Sequence, residues 1–243
     1  MLRKVPQVTL AFWVIKILAT TLGATGGDAL SMTLKLGYAT STLIFLAFFA
    51  VALAAQLATS RYHPVVYWLV VVATTTVGTT MSDYFDRSLG LGYVKSSAIL
   101  LSLVIATLLV WRKTTGAIAV DHVTTRTNEA FYWITILISN TLGTALGDFV
   151  ADDAGLGFQR GSLVFAGLIA LVALAHFFTK APRAILFWAA YVLTRPLGAT
   201  LGDTLTKPHL QGGLDLGRIQ SSAVIAAAMI VLIAATRLRK RTV

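Results

Sequence analysis

The chain has 243 residues, of which 56% are hydrophobic, only 12% are charged and none is cysteine. So apolar a balance excludes an ordinary soluble domain, and the missing cysteines exclude a disulfide framework or a thiolate metal site. The formal net charge of +10 would suggest nucleic acid for a soluble protein, but where the bases fall points to a membrane surface, and no nucleic-acid partner is expected.

Eight apolar runs occupy roughly 8–30, 38–59, 65–82, 93–111, 130–149, 158–178, 184–205 and 219–236, with edges soft by about three residues. Each approaches the about 20 residues that cross a bilayer as a helix. The first run follows Arg3-Lys4 like a secretory leader. It is too long for a leader's apolar core and carries the chain's repeated motif, so it reads as a span.

That motif closes the first run as Thr20-Thr21-Leu22-Gly23-Ala24-Thr25-Gly26-Gly27-Asp28. It returns at the ends of the third, fifth and seventh runs, closing on Asp83, Asp148 and Asp203. Gly23, Gly78, Gly143 and Gly198 stand five residues before the Asp, and Phe12-Trp13, Tyr67-Trp68, Tyr132-Trp133 and Phe187-Trp188 end fifteen before it. Ten residues after the first three Asps come Tyr38, Tyr93 and Phe158, each preceded by Gly, whereas the fourth copy has Arg218 after a loop five residues longer. That loop, with Pro208, Gly212 and Gly213, reads as a tolerated extension or a lid. The even runs open with Ser41-Thr42, Ser96-Ser97, Gly161-Ser162 and Ser221-Ser222, which suit helix capping and close packing. The linker from Thr114 to Glu129, with Asp121 and His122, reads as a connector between halves 1–120 and 121–243.

The expected fold is therefore an all-α integral membrane protein: eight transmembrane helices forming four parallel two-helix repeats around an axis along the membrane normal, in two pseudo-symmetric halves within one membrane domain. An even number of spans puts both termini on one side. That side carries twelve Lys and Arg against six on the other, so the positive-inside rule places both termini in the cytoplasm of a bacterial inner membrane. The Trp pairs then fall near the cytoplasmic interface, where they would anchor to lipid. The four Asps fall about 22 Å further along, in the outer part of the membrane.

Ionisable groups within spans usually face a bundle interior or a watery cavity. Asp28, Asp83, Asp148 and Asp203, with the hydroxyls of Thr25, Thr80 and Thr200, would make an all-oxygen site suited to a hard divalent cation such as Mn²⁺. The alternative is that each Asp merely ends a helix, capping the next segment or meeting a Lys or Arg of the outer loops. Lys16 and Arg195 lie inside odd spans, where the Asp cluster is an obvious partner for either; Lys16 could instead reach the interface. His176 reads as a packing residue. Thr75-Thr76-Val77-Gly78 is only superficially like a potassium filter, because a repeat of two spans has no room for a pore helix.

The whole chain resembles a bacterial family of membrane-anchored proteins built from four tandem two-transmembrane repeats of unknown function, each with a characteristic Trp, here Trp13, Trp68, Trp133 and Trp188. That resemblance implies the architecture and brings no activity. From the residues, a transporter of small ions is expected, with a divalent metal cation as substrate and proton-coupled export as one form, and no cofactor. Its other partners are the lipid bilayer and a second copy in a homo-oligomer. The alternatives are a proton-coupled carrier of an organic cation and a structural or regulatory protein without flux. An enzyme is not expected, since no Cys, Glu or Ser–His arrangement recurs in register.

Overall fold

The structure is a computed structural model that describes residues 4–118 and 125–239, so Asp121 and His122 of the linker lie outside the described residues. Backbone polar groups find no partner in hydrocarbon, so apolar segments of this length close their hydrogen bonds internally as helices. Four odd helices carry the repeated motif: α1 (Leu10–Asp28), α3 (Pro64–Asp83), α5 (Arg126–Asp148) and α7 (Arg183–Thr206). Four even helices alternate with them: α2 (Gly37–Ala58), α4 (Tyr93–Thr115), α6 (Gly157–Phe178) and α8 (Arg218–Arg239). Thr9 caps α1 by accepting from the Phe12 backbone N–H, and Pro64 starts α3 where its missing N–H costs nothing. All eight are long and apolar enough to span a bilayer.

Hydropathy separates the eight into two layers. The even spans have mean hydropathy of 2.0 to 2.2 and bury 17–28% of their most apolar window, whereas the odd spans have 1.3 to 1.4 and bury 56–72%. In a bilayer the most apolar helices belong on the outside, where lipid is the neighbour, and the hydroxyl-rich ones within. The odd helices form a closed inner ring in which α1 packs on α3, α3 on α5, α5 on α7, and α7 back on α1. Each even helix then crosses to the next repeat: α2 lies on α3, α4 on α5, α6 on α7, and α8 on α1. Both halves thus contribute to one ring.

Glycine sets the spacing of that ring. A Cβ on Gly23 would lie 2.2 Å from Thr75 Oγ1, one on Gly78 2.9 Å from the Asn140 carbonyl carbon, one on Gly143 2.4 Å from Arg195 Cγ, and one on Gly198 2.2 Å from Thr20 Oγ1. In each case the neighbour is the residue eight before the Asp in the next repeat, so the same contact runs four times round the ring. Hydroxyls lock it: Thr75 donates to the Ala19 carbonyl at 3.1 Å and Thr20 to the Thr194 carbonyl at 3.1 Å.

After Asp28, Asp83 and Asp148 the chain does not stop but widens into single π-helical turns, Ala29–Thr33, Tyr84–Ser88 and Phe149–Asp153. The Asps are helix-terminal residues that make no capping bond. The turns lead into Gly37, Gly92 and Gly157 at φ of 71 to 75°, left-handed backbone that explains the Gly before each aromatic. In the fourth repeat α7 continues to Thr206, and the longer loop folds back on it through Leu214 N–H to Thr204 O and Leu216 N–H to Leu205 O.

Three expectations change. Three of the four motif Trp residues are not lipid anchors: Trp68, Trp133 and Trp188 are buried, packed edge-on and tilted among Phe12, Tyr67, Tyr132, Phe187 and Tyr191 at the terminal end of the ring, while Trp13 is half-buried. The small polar pairs of the even helices do not cap, since the N-cap positions are Leu36, Gly92 and Leu156. Glu129 is not connector: it is buried in the first turn of α5 and paired with Lys4 at 2.7 Å, tying the start of the chain to the second half.

Candidate functional site

At the ends of the odd helices Asp28, Asp83, Asp148 and Asp203, each at most 8% exposed, line one small pocket with Thr79, Thr144, Ala24 and Ala199. Four helix C-termini point the negative ends of their dipoles at this place, which is unfavourable for carboxylates. Three bases offset that. Arg87, one turn beyond Asp83, bridges Asp83 Oδ1 at 3.2 Å and Asp148 Oδ2 at 3.4 Å. Lys207, one turn beyond Asp203, approaches its Oδ1 at 3.6 Å, and Arg218 approaches Asp28 Oδ2 at 3.8 Å. Arg87 therefore joins Asp83 to Asp148, whereas Lys207 meets Asp203 and Arg218 meets Asp28. The expectation that loop bases meet the Asps is realised, and the one pocket holds all four carboxylates as well.

Two of the aromatics that follow an Asp by ten residues stand beside bases of the rim. The Tyr93 ring stands 6.0 Å from the Arg87 guanidinium carbon and the Phe158 ring 5.7 Å from Lys207 Nζ. Arg218 holds the same position in α8, which is why a fourth-repeat base reaches a first-repeat Asp. Just beyond the spans, burial lowers the Lys207 pKa, but Asp203 and Asp28 outweigh it and hold the group above its ordinary 10.5.

Below the carboxylates Arg195 fills the centre. It is fully buried and touches all three other inner helices, donating from Nη1 to Thr20 O at 3.0 Å and from Nη2 to Thr75 O at 3.3 Å, to Thr144 Oγ1 at 2.8 Å, and to Thr79 Oγ1. It lies within electrostatic reach of all four Asps, though carbonyls and hydroxyls hold it rather than a carboxylate. Lys16 belongs elsewhere. It is fully buried, neither at the interface nor at the Asps, with Nζ 3.4 Å from Asn140 Oδ1 and 4.2 Å from the centre of the Tyr191 ring. Lys16 stands twelve residues before its Asp against eight for Arg195, one further turn toward the terminal end.

The hydroxyls expected at the site are also displaced. Thr25 accepts from Ser222 at 2.8 Å and Thr200 from Ser162 at 2.9 Å, so both face the even helices, and Thr80 bonds its own helix. Thr79 and Thr144 face the pocket instead. The difference of one residue turns a side chain by about 100°, and four residues before the Asp is the position that shares its face. Among the described residues no three of His, Cys, Asp and Glu stand close enough to share one metal ion.

A family model described as Repeat of Unknown Function (DUF347) matches the chain four times, over residues 11–62, 66–117, 131–181 and 186–242. The chain belongs to this family of repeat proteins. No curated protein and no solved structure matches it.

Proposed function

We propose that this four-repeat membrane protein is a carrier of small cations, with a divalent metal ion of the Mn²⁺ kind as the first candidate substrate. The observation that carries the reading is the convergence of four buried carboxylates on one pocket, each neutralised by a base of its rim. Arg87 and Arg218 have 32% and 22% of their side chains exposed, so they can swing out toward water. A hard cation would then take their place among Asp and Thr oxygens. Because no three acids share an ion in this state, substrate binding must draw the carboxylates together as the bases leave. Arg195 argues for a carrier over a channel: a fixed guanidinium on the axis is a barrier to cation conduction. Protons taken up by the same carboxylates would couple the cycle. Twelve bases on the terminal side against six on the other support cytoplasmic termini in a bacterial inner membrane, and export is the direction we propose.

A second reading, an organic cation as substrate, draws on Tyr93 and Phe158, whose rings already stand beside cations at the rim. Flux into proteoliposomes of Mn²⁺, Mg²⁺, Ca²⁺, Zn²⁺ and a panel of organic cations decides between them. The metal reading expects one divalent ion to move, and the variant with all four Asps changed to Asn to move none while still folding. An organic cation moving in its place would favour the second reading. Flux of nothing in the panel, with an equally folded Asn variant, would leave a structural or regulatory protein as the better description.

A further inference from the structure

A second cavity lies away from the Asps. It is a groove of about 600 Å³ on the outer surface between α3 and α8, floored by α1 and lined by Leu22, Leu69, Val72, Met229 and Ile233, with Arg237 at its terminal end. From Ala226 to Arg237 it follows α8 for eleven residues, about 16 Å at helical rise. One leaflet occupies about half of a hydrocarbon core of roughly 30 Å, so the groove has the length of one lipid chain. Its volume over that length leaves a cross-section of about 40 Å², half of what a helix of about 10 Å diameter needs.

The groove lacks an aromatic stack that its counterpart seam carries. The seam between α4 and α7 is its counterpart two repeats away. There Trp111 is fully buried, stacked on Phe131 with ring centres 6.0 Å apart and edge-on to Trp188 at 6.0 Å, and it closes the seam. Trp111 stands eighteen residues after Tyr93, and the residue eighteen after Arg218 is Thr236; Phe131 stands seventeen before Asp148, and seventeen before Asp28 is Ala11. With both large rings replaced, Trp68, the counterpart of Trp188, faces the open groove instead.

We infer that the α3–α8 groove is a binding site for an anionic phospholipid, an acyl chain lying along Leu69, Val72, Met229 and Ile233 with its phosphate at Arg237. An open apolar groove facing the bilayer is filled by acyl chains by default, and the base at its end selects the headgroup. Arg237 lies within electrostatic reach of Tyr62 in the loop between α2 and α3. The sequence adds Arg239, Lys240 and Arg241 directly after, and juxtamembrane bases attract anionic lipid by about 1 kcal/mol each. This site is independent of the carboxylate ring and of any transport.

The test is the melting temperature of the detergent-purified full chain with dioleoyl phosphatidylglycerol or dioleoyl phosphatidylcholine, alongside native mass spectrometry of bound lipid. A ligand of the folded state raises the melting temperature. Phosphatidylglycerol is expected to raise it by several degrees more than phosphatidylcholine and to survive as a one-lipid adduct. Arg237→Gln should erase the difference between the two lipids. Thr236→Trp, which restores the ring found at Trp111, should erase the adduct while leaving the lipid-free protein at least as stable. If that variant does not fold, Ile233→Phe fills the same groove. Equal stabilisation by both lipids, or an adduct that persists in the filled variant, would overturn the inference.

Discussion

Arg195 is where a single residue does most for this fold. It holds the one charge that all four inner helices touch, and its planar fork meets two carbonyls and two hydroxyls at once. Lysine cannot reproduce that fork, so Arg195→Lys should lose several degrees of melting temperature even though the charge is kept. Arg195→Gln removes the barrier from the axis, and a cation leak absent from the wild type should appear as current in planar bilayers. Wild-type currents as large as the variant's would show that the guanidinium bars nothing. The ring glycines make a sharper steric prediction. Gly23→Ala puts a methyl 2.2 Å from Thr75 Oγ1 and 2.9 Å from its carbonyl carbon, whereas Gly26→Ala meets nothing nearer than 4.0 Å. Overpacking of this kind costs about 1–3 kcal/mol, so the first should melt well below the wild type and the second close to it. Lys207 has its pKa raised above 10.5 by Asp203 and Asp28. A raised lysine contributes stability that is whole below its unfolded value and is lost as pH climbs through the folded one. Melting curves from pH 7 to 9 should therefore show no loss from this pair, while Lys207→Met should lower stability throughout that range.

At the scale of elements, the connection from odd to even helix depends on two left-handed positions. Gly37, Gly92 and Gly157 fill one of them, and Gly90 and Gly155 fill the other in the second and third repeats. In the first repeat Lys35 takes that second position at φ 55°, a conformation costing an L-residue roughly 1–2 kcal/mol. Lys35→Gly is thus expected to be neutral to stabilising and Gly37→Ala destabilising by about 1 kcal/mol, both read from thermal melts. The reverse order would mean that the Lys35 side chain makes a contact worth more than its strain. The odd helices are Thr-rich for a related reason. Their hydroxyls bond carbonyls of their own and neighbouring helices, which lets them pack closely without exposing a polar group to lipid.

The whole molecule is a ring whose ends meet. Since α8 lies on α1, and α7 on α1 as α3 lies on α5, the two halves present equivalent faces to each other. Cutting the chain between residues 119 and 124 breaks none of these contacts. Fragments 1–120 and 121–243 should copurify when coexpressed, and each alone should aggregate, because half a ring leaves two hydroxyl-lined faces in lipid. A half that is stable and monodisperse by itself would show that the ring is not the folding unit.

The sequence by itself determined the number of helices and the four repeats. Each of these follows from hydropathy and spacing along one chain, and a bilayer reads both directly. What the sequence left open is everything that depends on which repeat lies beside which. Only the tertiary structure decided that even helices cross to the next repeat, placing Arg218 at Asp28 and Ser222 at Thr25. It also buried Trp68, Trp133 and Trp188, left Lys16 with Asn140 and Tyr191 rather than with the acids, and sent Arg195 across the axis. Spacing fixes a residue's height and its angle on its own helix. Which neighbour stands at that height and angle is set by packing between helices, where small and large residues of distant repeats must interlock.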